Sequence, residues 1–300
     1  MTATPEGAAA NSVIHDIGFR HYDGPRLGRS WAFRSLLLET FRGAFGLGRP
    51  AKVKIMPWVL VSMFVIPALV MVAVTVVVKL DKLPLTYTQY AIALSLIVSL
   101  FLAGRAPYAV SRDLRDGIMP LYLSRPIQRQ DYVYAKLLGL GLAVFVFLAA
   151  PLTVLFVGAL LAKFSVGHQV LGWLGGLLMA AVLAILVSSI SLVLASFTKR
   201  RGLGVAAVLA TLVLLTAFAN VLISVVGMKS SGAKGSFFSV LDPYLLVDGL
   251  SAGWLGVEPL NSTSQPDGAI GTIVFTIAFV VIVAGMVGIL LRRFRKVGGV

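Results

Sequence analysis

Six stretches of the sequence each run for at least about 18 residues without a charged side chain: Ile55 to Val78, Leu83 to Gly104, Leu137 to Ala162, Leu171 to Phe197, Gly202 to Val226 and Ile270 to Leu291. A bilayer core of about 30 Å needs about 20 helical residues at 1.5 Å rise each, so every one is long enough to cross. They are apolar throughout and do not alternate with period two. That excludes a β-barrel, the other structure that satisfies its backbone in lipid. Composition agrees: 58% of residues are hydrophobic and 13% charged, with a mean hydropathy of +0.93. A nucleic-acid binder, which spreads its basic residues over a polar folded face, does not fit such a chain. With no cysteine, disulfides and thiolate chemistry are excluded too.

The net charge of +14 divides by side. Lys and Arg favour the cytoplasmic connections of a membrane protein. With a cytoplasmic N-terminus, 21 of the 26 basic residues and seven of the 12 acids fall inside, which leaves five of each outside. The chain therefore reads as a multi-pass plasma-membrane protein with cytoplasmic N- and C-termini, its basic side against anionic lipid. No secretory leader core precedes the first span, which is expected to act as the insertion signal. Three regions follow: 1–54, a cytoplasmic arm and interfacial helix; 55–291, the membrane domain, with a long loop at 111–136 and an external segment at 227–269; and 292–300, a cytoplasmic tail.

Two segments outside the spans are patterned. Between Leu27 and Gly48, Phe33, Leu37, Phe41 and Ala44 recur at helical spacing, with Ser35, Glu39 and Arg42 opposite. This is an amphipathic helix suited to the membrane interface. From Phe237 to Val257 the chain is apolar but interrupted by Asp242-Pro243 and Asp248. A seventh crossing would put two acids in lipid, at about 2.5 kcal/mol or more for a central Asp. A helical hairpin that dips into the outer leaflet or caps the bundle is expected instead. The fold class is thus an all-α polytopic membrane protein: six transmembrane helices, an N-terminal interfacial amphipathic helix and an external helical hairpin before the sixth span.

The loop from Ser111 to Lys136 mixes Asp113 and Asp116 with Arg112, Arg115, Arg125 and Arg129 around Ile118, Met119, Leu121, Tyr122 and Leu123. An apolar patch inside a charged rim has the composition of a docking surface. Gly117, Pro120 and Pro126 punctuate it, so a short helix after Gly117 and an extended turn at Arg125-Pro126 are expected. The order Asp113, Gly117, Leu121, Pro126, Arg129 and Lys136 between the second and third spans resembles the permease subunits of ABC-2 type ATP-binding cassette transporters. The likeness extends over the whole chain through the interfacial helix, the six spans and the apolar external segment. The stretch from Ile14 to Pro25 is similar to an arm of actinobacterial members, which implies a bacterial plasma membrane.

The resemblance implies that the loop contains a coupling helix seated in a separate ATPase subunit, present in two copies. Its docking residues would be Asp113, Leu114, Arg115, Asp116, Gly117, Ile118, Met119, Pro120, Leu121, Arg125, Pro126 and Arg129. It also implies a second permease copy, as a homodimer or a related heterodimer. No cofactor is then bound by this chain, and ATP and Mg enter through the partner ATPase.

None of the six cores holds a central charge, which argues against proton- or sodium-coupled transport. Ser95 and Ser99 in the second span, Ser188 in the fourth, and Thr211, Thr216 and Asn220 in the fifth are the polar exceptions. They are candidates for a substrate pathway, their alternative role being interhelical hydrogen bonds. Gly172, Gly176, Ala180, Ala184 and Ser188 recur every four residues in the fourth span, a stripe for close packing within one subunit or at a dimer seam. The histidines are three, His15, His21 and His168, and no HExxH, nucleophile elbow or phosphate loop occurs. No metal site and no ATP hydrolysis by this chain alone are expected. The expected function is the permease half of an ATP-driven exporter of an amphipathic or lipid-like substrate. Two rivals stand beside it: a non-transporting membrane anchor or signalling partner of an ATPase, and a membrane-embedded lipid-modifying enzyme, against which the histidine count speaks.

Overall fold

The computed structural model describes residues 24, 27–123, 127–198, 200–229, 236–262 and 268–297. The arm from Ile14 to Pro25, apart from Gly24, lies outside the described residues, as do Arg125 and Pro126. Among the described residues no strand occurs, and the chain runs through ten α-helices and one 3-10 turn. Among the described residues five helices are long and apolar enough to cross a membrane, and a helix pair bent by 64° passes the same test of length and composition when taken together, which gives six if the pair is one span. The protein is an all-α polytopic membrane protein.

The N-terminal helix α1 (Arg29–Ala44) turns its apolar stripe onto the bundle: Leu36 and Ala44 are buried, and Phe33, Leu37 and Phe41 pack at the margin. It ends where Gly46 and Gly48 take positive φ, and Pro50 opens the first span, α2 (Ala51–Val78). Leu60, Phe64, Ala68 and Thr75 form the buried stripe of α2, and the rest of that helix is largely exposed. The stripe lies on the third span, α6 (Arg129–Leu161), where Phe64 stacks on Phe147 at 4.7 Å and Gly158 leaves room for Val72. The tightly enclosed fourth span, α7 (Val166–Phe197), the fifth, α8 (Arg201–Lys229), and the sixth, α10 (Gly268–Val297), complete the bundle.

The second span departs from its sequence outline. It is a short helix, α3 (Tyr87–Ala93), joined at Leu94 to α4 (Ser95–Arg115) with a bend of 64°. Thr86 and Gln89 start α3 with a reciprocal capping box. No proline or glycine stands at the bend; long-range contacts set it. The Tyr87 ring lies in the notch left by Gly172 and Gly176 on α7, its hydroxyl donates to Gln169 at 2.7 Å, and the Tyr90 hydroxyl donates to the Phe64 carbonyl of α2. At its other end α4 continues well past Gly104, carrying Arg105, Arg112 and Arg115 on the helix. The loop expected over 111–136 is therefore shorter than its sequence outline. Residues 111–115 belong to α4 and 129–136 to α6, because the apolar faces of both helices continue beyond the uncharged stretches and stay packed.

Before the sixth span, the expected hairpin is a 3-10 turn (Ser236–Leu241) followed by α9 (Pro243–Leu255). Asp242 caps α9 by accepting from the Tyr244 N–H, Pro243 takes the first helical position, and Gly256 closes the helix in the left-handed region. The helix is packed against α7, α8 and α10. Its two acids are buried but partnered: Asp248 accepts from the N–H groups of Leu260 and Asn261 at 3.0 and 3.1 Å.

Candidate functional site

The start of α1, the start of α6 and the end of α10 meet at one end of the bundle. Arg29 grips Asp131 through two hydrogen bonds of 2.7 Å, and Arg129 donates to the Arg295 carbonyl at 2.7 Å. Arg293, also on α10, donates to the Ser196 carbonyl and lies 4.2 Å over the Phe197 ring, which secures the end of α7. This end also carries the turn between α4 and α6.

Within that turn the residues divide by direction. Asp113 points inward, with its side chain 8% exposed, 2.9 Å from the ammonium of Lys136, whose side chain is 5% exposed. The Tyr132 hydroxyl donates to the same carboxylate at 2.8 Å, and Glu39 of α1 stands 3.9 Å from Lys136 on the rim. Burial of one partner without the other would strand a charge at a cost of about 3–5 kcal/mol, so the pair holds α4 and α6 in a fixed relation. Gly117 follows with φ +62, a conformation that non-glycine residues rarely adopt, and lets the Ile118 N–H reach back to the Asp113 carbonyl. That bond closes α4 and turns the chain into α5 (Met119–Leu123), with Pro120 in its first turn.

The short helix α5 is anchored by Met119, which is buried, and by the Tyr122 ring, 5.6 Å from that of Tyr132. Its outer side presents Leu121, 67% exposed, beside exposed Pro120, Gly117, Asp116 and Arg115, while Leu114, Ile118 and Arg129 are half-buried. Asp116 is held ionised, below the usual carboxylate range, chiefly by the hydrogen bond from Arg115 and with the further help of Arg112. Of the twelve docking residues inferred from the sequence, Asp113 and Met119 thus face into the protein, and Arg125 and Pro126 lie outside the described residues. The Asp113–Lys136 pair had no local signal, since its members sit on different helices.

The pathway candidates are dispersed. Ser99 hydrogen-bonds the Tyr244 hydroxyl at 2.7 Å, and Thr216 donates to Asp242 at 3.0 Å, so both join spans to the α9 segment. Asn220 donates to the Thr216 carbonyl within α8; Ser95 and Thr211 are half-buried, and Ser188 is fully buried. The small-residue stripe of α7 is used inside the subunit: Gly172 and Gly176 receive Tyr87, and Ala180, Ala184 and Ser188 are buried. Among the described residues no three His, Asp or Glu side chains gather as metal ligands.

Residues 57–298 match the family described as ABC-2 family transporter protein. The chain belongs to the ABC-2 transporter family. It is a membrane permease of an ABC transporter, and membership implies partnership with an ABC ATPase subunit. None of the curated proteins compared with the chain matches it.

Proposed function

We propose that this permease is the membrane half of an ATP-driven exporter. Two copies of the ATPase subunit bind ATP and Mg, and a second permease, identical or related, completes the pathway. The basic end of the bundle is cytoplasmic, with both termini there. The outer side of α5 seats in the ATPase, and closure of the ATPase pair is delivered through the Asp113–Lys136 seam to α4 and α6. The observation that carries this reading is the division of the turn: an exposed apolar tip at Leu121 on a base braced by a buried ion pair. Such a base moves with its helices when the tip is pushed. The aliphatic lipid-facing surfaces suit an amphipathic or lipid-like cargo.

The test is co-purification of the permease with its ATPase, followed by ATP hydrolysis in liposomes. Leu121→Asp and Leu121→Arg, at an exposed position, are expected to abolish association while leaving the permease folded. Retained association and unchanged hydrolysis in both variants would overturn the reading. ATP-dependent movement of a lipid probe separates an exporter from a non-transporting anchor, which would dock equally well and move nothing.

A further inference from the structure

A second feature of the basic end lies between the start of α2 and the end of α4. A cleft of about 590 Å³ opens there, within the range of about 300–1,000 Å³ usual for small-molecule sites. Five cations line it, Arg49, Lys52, Arg105, Arg112 and Arg115, against one carboxylate, Asp116. Asp116 is already engaged by Arg112 and Arg115, at 3.6 and 2.9 Å. Among the described residues, Arg49 and Lys52 have no carboxylate within ion-pair distance. The cations are held in place: Arg49 lies 4.7 Å over the Tyr108 ring, Arg112 donates to the Tyr108 hydroxyl at 3.4 Å, and Arg105 is buried at the floor with its guanidinium 3.4 Å from the Met56 sulfur. Fixed guanidinium groups are the usual receptors for phosphate oxygens.

Below the cations the surface changes character. Met56, which lines the cleft, begins a row on α2 with Val59, Met63, Ile66 and Val70, spaced three and four residues apart and 39–55% exposed. Positive charge at the mouth and an apolar track leading away from it have the shape of an anionic amphiphile. A partner protein's acidic surface would need the first and not the second.

We propose that this cleft binds the phosphate of an anionic phospholipid, phosphatidylglycerol being a suitable probe, with the acyl chains along the Met56–Val70 row. The site would tie α2 to α4 through a lipid of the surrounding leaflet. It does not depend on what the permease transports, nor on α5 being the ATPase contact.

The test is lipid retention by the purified permease–ATPase complex, read by native mass spectrometry with phosphatidylglycerol, phosphatidylcholine and inorganic phosphate. Arg49→Gln with Lys52→Gln is expected to weaken phosphatidylglycerol binding about tenfold or more, since each cation near an anionic lipid contributes appreciably. Removal of equal charge from the same end by Arg34→Gln with Arg292→Gln is expected to leave binding within about twofold. The exchange Arg49→Lys with Lys52→Arg keeps the charge and is expected to keep the lipid. If the double glutamine variant does not fold, Lys52→Gln alone, at an exposed position, carries the expectation at about threefold. Equal losses in the control pair, equal retention of phosphatidylcholine, or competition by inorganic phosphate as tight as by the lipid would each overturn the proposal. So would a double variant that keeps the lipid but sheds the ATPase, because the cleft would then be a protein contact.

Discussion

Lys136 and Asp113 bring opposite charges into one buried seam, 23 residues apart in sequence and 2.9 Å apart in space. Lys136→Met leaves the carboxylate buried with Tyr132 as its remaining partner, and is expected to destabilise the permease by about 3–5 kcal/mol. Asp113→Asn combined with Lys136→Met strands no charge and is expected to cost clearly less. Thermal unfolding in detergent measures both, and equal losses would refute the ion-pair assignment. Asp242 is a different kind of buried acid. It caps α9, accepts from Thr216, and burial pushes its carboxyl up to about 6. A folded-state value above the unfolded one means that its contribution is complete below the ordinary carboxylate range and is lost as pH rises through about 6. The expected loss is on the order of 3 kcal/mol between pH 4 and 7, from about 1.4 kcal/mol per unit. Asp242→Asn keeps an acceptor for the cap and is expected to flatten that slope; an unchanged pH profile would show that Asp242 is not its source.

At the scale of elements, helices in this protein approach through glycines whose neighbours decide their worth. A Cβ on Gly139 of α6 would meet the Leu37 carbonyl oxygen of α1 at 2.7 Å and Thr40 Cβ at 2.8 Å. Two residues on, a Cβ on Gly141 would meet nothing within 4 Å. Gly139→Ala is therefore expected to lift α1 and destabilise by about 1–3 kcal/mol, whereas Gly141→Ala is expected to stabilise by up to about 1 kcal/mol through helix propensity. Opposite signs in thermal unfolding, with faster proteolysis of α1 in the first variant alone, would support the seam. The same logic governs the bend at Leu94. The α7 stripe is legible as a close-packing surface, but its occupant, Tyr87, is not. The 64° turn follows from where that ring is held.

For the whole molecule, the distribution of charge predicts its orientation. A reporter active in the cytoplasm is expected to give signal at both termini, and a silent C-terminal fusion would require another arrangement of spans. Six hydrophobic lengths, the all-helical class and the charged turn between the second and third spans were readable without coordinates. Each depends on a local quantity, bilayer thickness against the length of an uncharged stretch or charge against the cost of lipid, that a window of sequence contains. The direction in which each residue of the turn faces was not readable. Asp113 and Asp116 differ little in their neighbours along the chain, yet one is sealed against Lys136 and the other lies at the surface with Arg115. The basic cleft is likewise assembled from residues 49–56 and 105–116, brought together where Met56 crosses Gly104. Such choices come from packing between segments remote in sequence, where the burial cost of a charge is set by the helix that happens to cover it.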